Sequence, residues 1–184
     1  MAQFFKVQLE SVIPHSDYII GNESEAQAWG AAAGVAEPTD HIAVARSIAL
    51  LPKSNPSRPR VVIITRGSDP TIVVSSAQPD KPKMYPVDKL ADSEIVDTNG
   101  AGDAFAGGFM GGLVLGKSLD DAVEIGHKMG AMNLKEVSTP LMINAFVLTN
   151  FSGRASIHIS KGPNRLRFYL FNHIVVDTTL YSRV

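Results

Sequence analysis

The 184 residues contain no cysteine. That excludes a disulfide framework, thiolate catalysis and a zinc site of the usual sulfur type, and it fits a reducing compartment. A cytoplasmic location is therefore expected, with the nucleus also open. Net charge is almost as scarce: 17 Lys and Arg stand against 18 Asp and Glu, a formal −1. A chain so balanced has no overall field to attract nucleic acid or anionic lipid, so any anion must be held by a local site. Long apolar runs are missing as well. The longest, residues 104–115, is broken by glycines and too short to span a bilayer, and residues 1–10 lack the layout of an export signal. A soluble protein with no nucleic-acid and no membrane partner is the expectation. Its apolar fraction of 45% is enough for one domain with a core of its own.

What is present alternates in type. Residues 1–12 set Phe4, Phe5, Val7 and Leu9 on one side of a short helix that Pro14 stops. A brief β-prone run over 17–21 closes on Gly21, and Asn22 opens an alanine-rich helix to about residue 33. Residues 40–51 predict a further helix, with Asp40 as cap and Pro52 as stop, before a proline-rich connector over 52–59. Val61-Val62-Ile63-Ile64 is apolar throughout, the pattern of a central parallel strand covered on both faces by helices. Residues 71–75 and 83–87 are punctuated by proline and predict a hairpin or edge strands. Residues 100–116 and 119–137 predict two helices, the second capped by Ser118. Strands alternating with helices imply an α/β layered sheet.

From residue 138 the style changes. Arg154, Lys161, Arg165, Arg167 and Arg183 face the single acid Asp177, and no clean period is visible, although strands fit around 167–176. The region 1–137 and an atypical basic tail, 138–184, are thus read apart. A shifted frame, a retained intron or a gene-model error would give such a tail, and an evolved interaction segment is the other reading.

The chemistry concentrates in Asp97-Thr98-Asn99-Gly100-Ala101-Gly102-Asp103, between a short strand expected at Ile95-Val96 and a helix of small residues. Glycines at 100 and 102 allow a tight turn with consecutive N–H groups exposed, and the positive end of the following helix favours an anion there. Asp103, in the first turn, is placed to take a proton from a hydroxyl attacking phosphorus. A plain glycine turn with Asp103 as helix cap fits the same spacing. It is not a Walker loop, since no Gly-Lys-Ser/Thr follows, and the third glycine of the dinucleotide fingerprint is missing.

This run, continued by Ala104-Phe105-Ala106-Gly107-Gly108-Phe109, resembles the C-terminal signature of the ribokinase-like, or carbohydrate kinase, family. The resemblance implies a layered α/β/α sheet, incomplete here and representing the C-terminal, ATP-binding half. It also implies Asp103 as catalytic base and Gly100, Ala101 and Gly102 as the anion hole. Within the family the adenosine-phosphorylating branch is most similar, through Ile20-Gly21-Asn22-Glu23-Ser24-Glu25-Ala26, residues 61–67, the Asp97 run, and Gly126-His127-Lys128-Met129-Gly130-Ala131-Met132. The likeness spans roughly residues 1–132. Asn22 and Glu25 match an element that acts with magnesium, whereas their residue types alone favour a helix capping box. Thr65, Gly67, Asn99 and His127 would lie at the nucleotide. Arg66 would meet a phosphate or stay solvated, and His127 by itself also suits a packed side chain. Gly107, Gly108, Gly111 and Gly112 are expected to permit close packing of helix on sheet.

The implied reaction moves the γ-phosphoryl group of ATP to the 5′ hydroxyl of adenosine with magnesium, a step of purine salvage. Such enzymes begin with a long half that this chain does not resemble. No measurable activity of the chain alone, and association through an exposed sheet edge, are therefore expected. A non-catalytic nucleotide-binding or partner-docking fragment, or another sugar kinase, are the rival readings.

Overall fold

A computed structural model describes residues 11–135 and, beyond them, three strands at 157–162, 165–170 and 174–179. The expected helix over 1–12 lies almost wholly outside the described residues. The chain divides after Thr139 into two units.

In the first unit, strand β1 (Tyr18–Asn22) runs parallel to β2 (Val61–Arg66), and two helices, α1 (Glu23–Ala33) and α2 (His41–Ala49), make the crossover between them. The helix starts are written in the sequence. Asn22 Oδ1 accepts from the Glu25 N–H while Glu25 Oε2 accepts from the Asn22 N–H, both at 2.9 Å, and Asp40 accepts from Ile42 and Ala43. Gly34, at φ +74°, closes α1 in the left-handed conformation.

β2 is interior but only half parallel, because β3 (Asp69–Ser75) returns antiparallel to it and β4 (Gln78–Tyr85) antiparallel to β3, in the order β1-β2-β3-β4. Three readings change with this pairing. Thr65 and Arg66 belong to β2, with Gly67 at φ +55° in the tight turn to β3. β3 is an interior strand, buried from Thr71 to Val74. β4 is an edge strand that starts at Gln78, earlier than its prolines suggested: an edge tolerates Pro79 and Pro82 because a missing N–H can face outward.

The pleat distributes two layers. Val62, Ile64, Ile72 and Val74 pack with Val44, Ala45 and Ile48 of α2 and Ala26 of α1. On the opposite face Tyr18 meets Phe109 edge-on at 5.6 Å and Thr71 meets His127, which places α3 (Ala101–Val114) and α4 (Leu119–Leu134) there. The result is an α/β/α layering. Ser118 caps α4, which ends at Leu134.

The close approach is between α3 and α4, helix on helix, and not helix on sheet as the glycine spacing suggested. A Cβ at Gly108 would lie 2.7 Å from Met129 Cγ, and one at Gly126 would lie 2.8 Å from Phe105 Cε2. Gly112 abuts Ala122, whereas Gly107 and Gly111 face open space.

One feature at the amino end of the sheet had no sequence signal. Arg60, fully buried just before β2, donates to the carbonyls of Ser16, Ile48, Ala49, Leu51, Ile13 and Pro52. Burial lowers its pKa, opposed by the charge of Asp17. The arginine stays charged and joins the last carbonyls of α2 to the chain entering β1. Asp17 itself pairs with Lys53 and, at 3.3 Å, with Arg58.

The second unit carries three antiparallel strands, β5 (Ile157–Gly162), β6 (Arg165–Leu170) and β7 (Ile174–Thr179), in sequential order. Ile157 pairs with Leu170 and Arg165 with Thr179. Strands therefore occupy more of the basic tail than residues 167–176. No helix among the described residues is long and apolar enough to cross a membrane.

Candidate functional site

Three ring contacts orient α3. Phe109 lies against Tyr18, at the start of β1; Phe105 stacks on Phe109 at 6.4 Å and sits 5.4 Å from the ring of His127. His127 shares a 2.9 Å hydrogen bond with Thr71, at the level of Thr65 near the end of β2. Going back along α3 from Phe109 to Phe105 therefore leads toward the carboxyl ends of β1 and β2. Ala101 and the residues before it lie at that edge, where open α/β sheets bind ligands.

The start of α3 differs from those of the other three helices. Gly100 is its N-cap at φ +78°, and among the described residues no side chain caps it, while Asn22, Asp40 and Ser118 cap α1, α2 and α4. A residue with a Cβ would be strained at Gly100, and Gly102 has open space around it. The first amides of α3 thus meet no capping side chain. Asp103 is exposed in this first turn, and among the described residues its carboxylate makes no hydrogen bond or ion pair. It does not serve as the cap. Upstream, Ile95 and Val96 form no strand, the Val96 N–H bonding to the Leu134 carbonyl instead, and Asp97 Oδ1 accepts from both the backbone N–H and the side-chain amide of Asn99, at 2.9 and 2.8 Å.

The remaining sequence candidates fall unevenly. Register sets Asn22 opposite Thr65, and alternation puts both on the α3 and α4 side of the sheet edge. Thr65 Oγ1 donates to the Gly21 carbonyl at 3.3 Å. Asn22 and Glu25 form the capping box, and this uses one carboxylate oxygen of Glu25. A Cβ at position 21 would sit 3.2 Å from that oxygen, so Gly21 leaves the box its room. The second Glu25 oxygen, on an exposed residue, suits a hard cation with retained waters. Among the described residues no group of three or more His, Asp or Glu gathers to hold a metal by itself. Arg66 turns back on the Pro70 carbonyl through Nε and Nη2, at 2.9 and 2.7 Å, in the hairpin that contains Gly67. His127 has one nitrogen on Thr71. Burial holds its pKa below the usual histidine value, against the opposing pull of Asp88 and Glu124.

Thr71 and Asn133 were missed by sequence reading. A threonine inside an otherwise apolar strand, four residues after a glycine turn, was the available signal for Thr71. Asn133 carries no motif at all.

The profile described as "pfkB family carbohydrate kinase" matches residues 1–144, twelve residues beyond Met132, where the visible resemblance ended. Asn133 and Leu134, the last two residues of α4, and their contacts with the Asp97 loop lie in that extension. The adenosine kinase of Schizophyllum commune is 55% identical over 135 residues, covering 73% of this chain and 39% of that protein. The adenosine kinase of Schizosaccharomyces pombe is 45% identical over 141 residues, covering 77% of this chain and 40% of that protein. The crystal structure of Anopheles gambiae adenosine kinase in complex with P1,P4-di(adenosine-5) tetraphosphate superposes with a TM-score of 0.72 at 36% identity, over 78% of this chain and 41% of that one. The chain spans about two fifths of the length of the curated relatives it matches.

Proposed function

The chain belongs to the pfkB family of carbohydrate kinases, and we propose that it forms the phosphate-donor and catalytic part of an adenosine kinase. The observation that carries this reading is the start of α3. Gly100 turns left-handed with no capping side chain, and Asp103 follows with no partner among the described residues.

In the proposed mechanism the amides of Gly100, Ala101 and Gly102 hold charge as it develops on the transferred phosphoryl group of ATP. Asp103 takes the proton of the adenosine 5′ hydroxyl as that oxygen attacks the γ-phosphorus in line, the bond to the bridging oxygen breaks and ADP leaves. Thr65, Gly67, Asn99 and His127 contact the nucleotide. Asn22 and the second oxygen of Glu25 would hold a magnesium ion through its waters, and its charge would offset that of the phosphates.

The test has two arms. Calorimetry of the 184-residue chain with magnesium and ATP reads the donor site directly. AMP formation from ATP and adenosine is then followed in a chimera extended to the full length of the curated relatives. Asp103→Ala is expected to lower turnover about a hundred-fold or more with ATP affinity nearly intact. Loss of ATP binding with unchanged turnover per bound complex would overturn the role of Asp103.

A further inference from the structure

The last turn of α4 reaches across to the loop that precedes α3. Asn133 Nδ2 donates to the Asn99 carbonyl at 2.8 Å. The N–H groups of Val96 and Asp97 donate to the Leu134 carbonyl at 2.8 and 3.4 Å. Lys135 Nζ pairs with Glu94 Oε1 at 3.0 Å, while Glu94 Oε2 accepts from the Ala91 N–H. Three consecutive residues, 133–135, thus fasten the loop at 94, at 96–97 and at 99. Of these fastenings, the one from Asn133 is nearest to the glycines.

Its position has a geometric meaning. The Asn99 carbonyl and the Gly100 N–H belong to one planar trans peptide and point in opposite directions. Holding the oxygen on Asn133 therefore fixes the direction of the hydrogen, away from α4. Glycine needs such a restraint: without a Cβ, Gly100 tolerates peptide orientations that other residues exclude, so the plane before it turns easily. Asp97 restrains the same loop one residue earlier, through the N–H and side chain of Asn99, and leaves the Asn99 carbonyl to Asn133.

We propose that Asn133 is a positioning residue of the anion hole, keeping the Asn99–Gly100 peptide turned so that the Gly100 N–H faces the phosphate. It touches no substrate. The inference rests on the proposed donor site, and its test separates the two.

The full chain, labelled with ¹⁵N, is titrated with magnesium and ATP while the amides of Gly100, Ala101 and Gly102 are followed. In the unsubstituted chain these signals shift on binding. Asn133→Asp keeps the shape and loses the donor; it and Asn133→Ala are expected to raise the ATP dissociation constant about tenfold. They also abolish the Gly100 shift and speed Gly100 amide exchange without ligand about tenfold, leaving exchange within α4 unchanged. Asn133→Gln, which keeps an amide donor, recovers most of the affinity. Normal ATP binding and an unchanged Gly100 signal in both donor-free variants would overturn the positioning role while the donor site stands. If Asn133→Asp fails to fold, Gly100 exchange in Asn133→Ala decides alone. No ATP binding by the unsubstituted chain would overturn the donor site and this inference with it.

Discussion

Thr71 and His127 share a 2.9 Å hydrogen bond that joins the interior strand β3 to α4, with the histidine ring beside Phe105 of α3. Burial lowers the His127 pKa, and Asp88 and Glu124 pull it back only in part. The unfolded chain therefore takes up a proton at this residue more readily than the folded one. The stability it contributes is complete above the unfolded value, about 6.5, and is lost as pH falls through the lower folded value. In urea titrations at pH 7.5 and 5.5, His127→Gln is expected to lose less stability between the two than the unsubstituted chain. Equal losses would remove His127 as the source of this pH dependence.

Arg60→Met keeps a similar volume and strands six carbonyls that now accept from one guanidinium. Each buried acceptor left without a donor costs about 1–3 kcal/mol, and solvent reaches some of them after relaxation. A loss of about 3 kcal/mol or more is expected from urea denaturation, with Arg60→Lys recovering only part, since one ammonium carries three donors. A loss below about 1 kcal/mol would show that the carbonyls find other partners.

Gly126→Ala forces a methyl to 2.8 Å from the Phe105 ring and 3.0 Å from its carbonyl, so α3 and α4 must separate. A destabilisation of about 1–3 kcal/mol is expected. Gly107→Ala, on a helix face with nothing within 4 Å, is expected to stabilise by about 0.5–1 kcal/mol. Thermal melts of the pair check both signs, and matching shifts would refute the close packing.

Glu25→Gln retains an oxygen able to accept from the Asn22 N–H and removes the charge offered to a cation. The melting temperature is expected to stay nearly constant, while half-maximal ATP binding needs about tenfold more magnesium. An unaltered magnesium titration would leave Asn22 and Glu25 as a capping box alone.

Legibility followed the range of the interaction. Asn22 with Glu25, Asp40 and Ser118 act within three residues, and the sequence alone places them at helix starts as the structure does. The apolar run 61–64 declares an interior strand but not its partners. Only the turn at Gly67 makes β3 antiparallel to it, and so sets Thr71 against His127. Arg60, between the connector over 52–59 and the apolar run, gave no signal because its six acceptors come from residues 8 to 47 positions away. The glycines of α3 announced a close approach; which of them make it depends on the face turned to α4. Asn133 acts on a carbonyl, and a carbonyl has no side-chain signature in sequence.

The four-stranded sheet has two unlike margins among the described residues. β4 borders one side with Asp80, Lys81, Lys83 and two prolines, residues that repel or cannot hydrogen-bond an incoming strand. β1 borders the other with Tyr18, Ile19, Ile20, Gly21 and Asn22, and has neither charge nor proline. The features that oppose a further strand are thus polarised: β4 carries them and β1 does not. Since β1 also opens the capping box and faces Phe109, a strand added there would stiffen the wall on which α3 rests. The flank without such features is the one closest to the proposed chemistry.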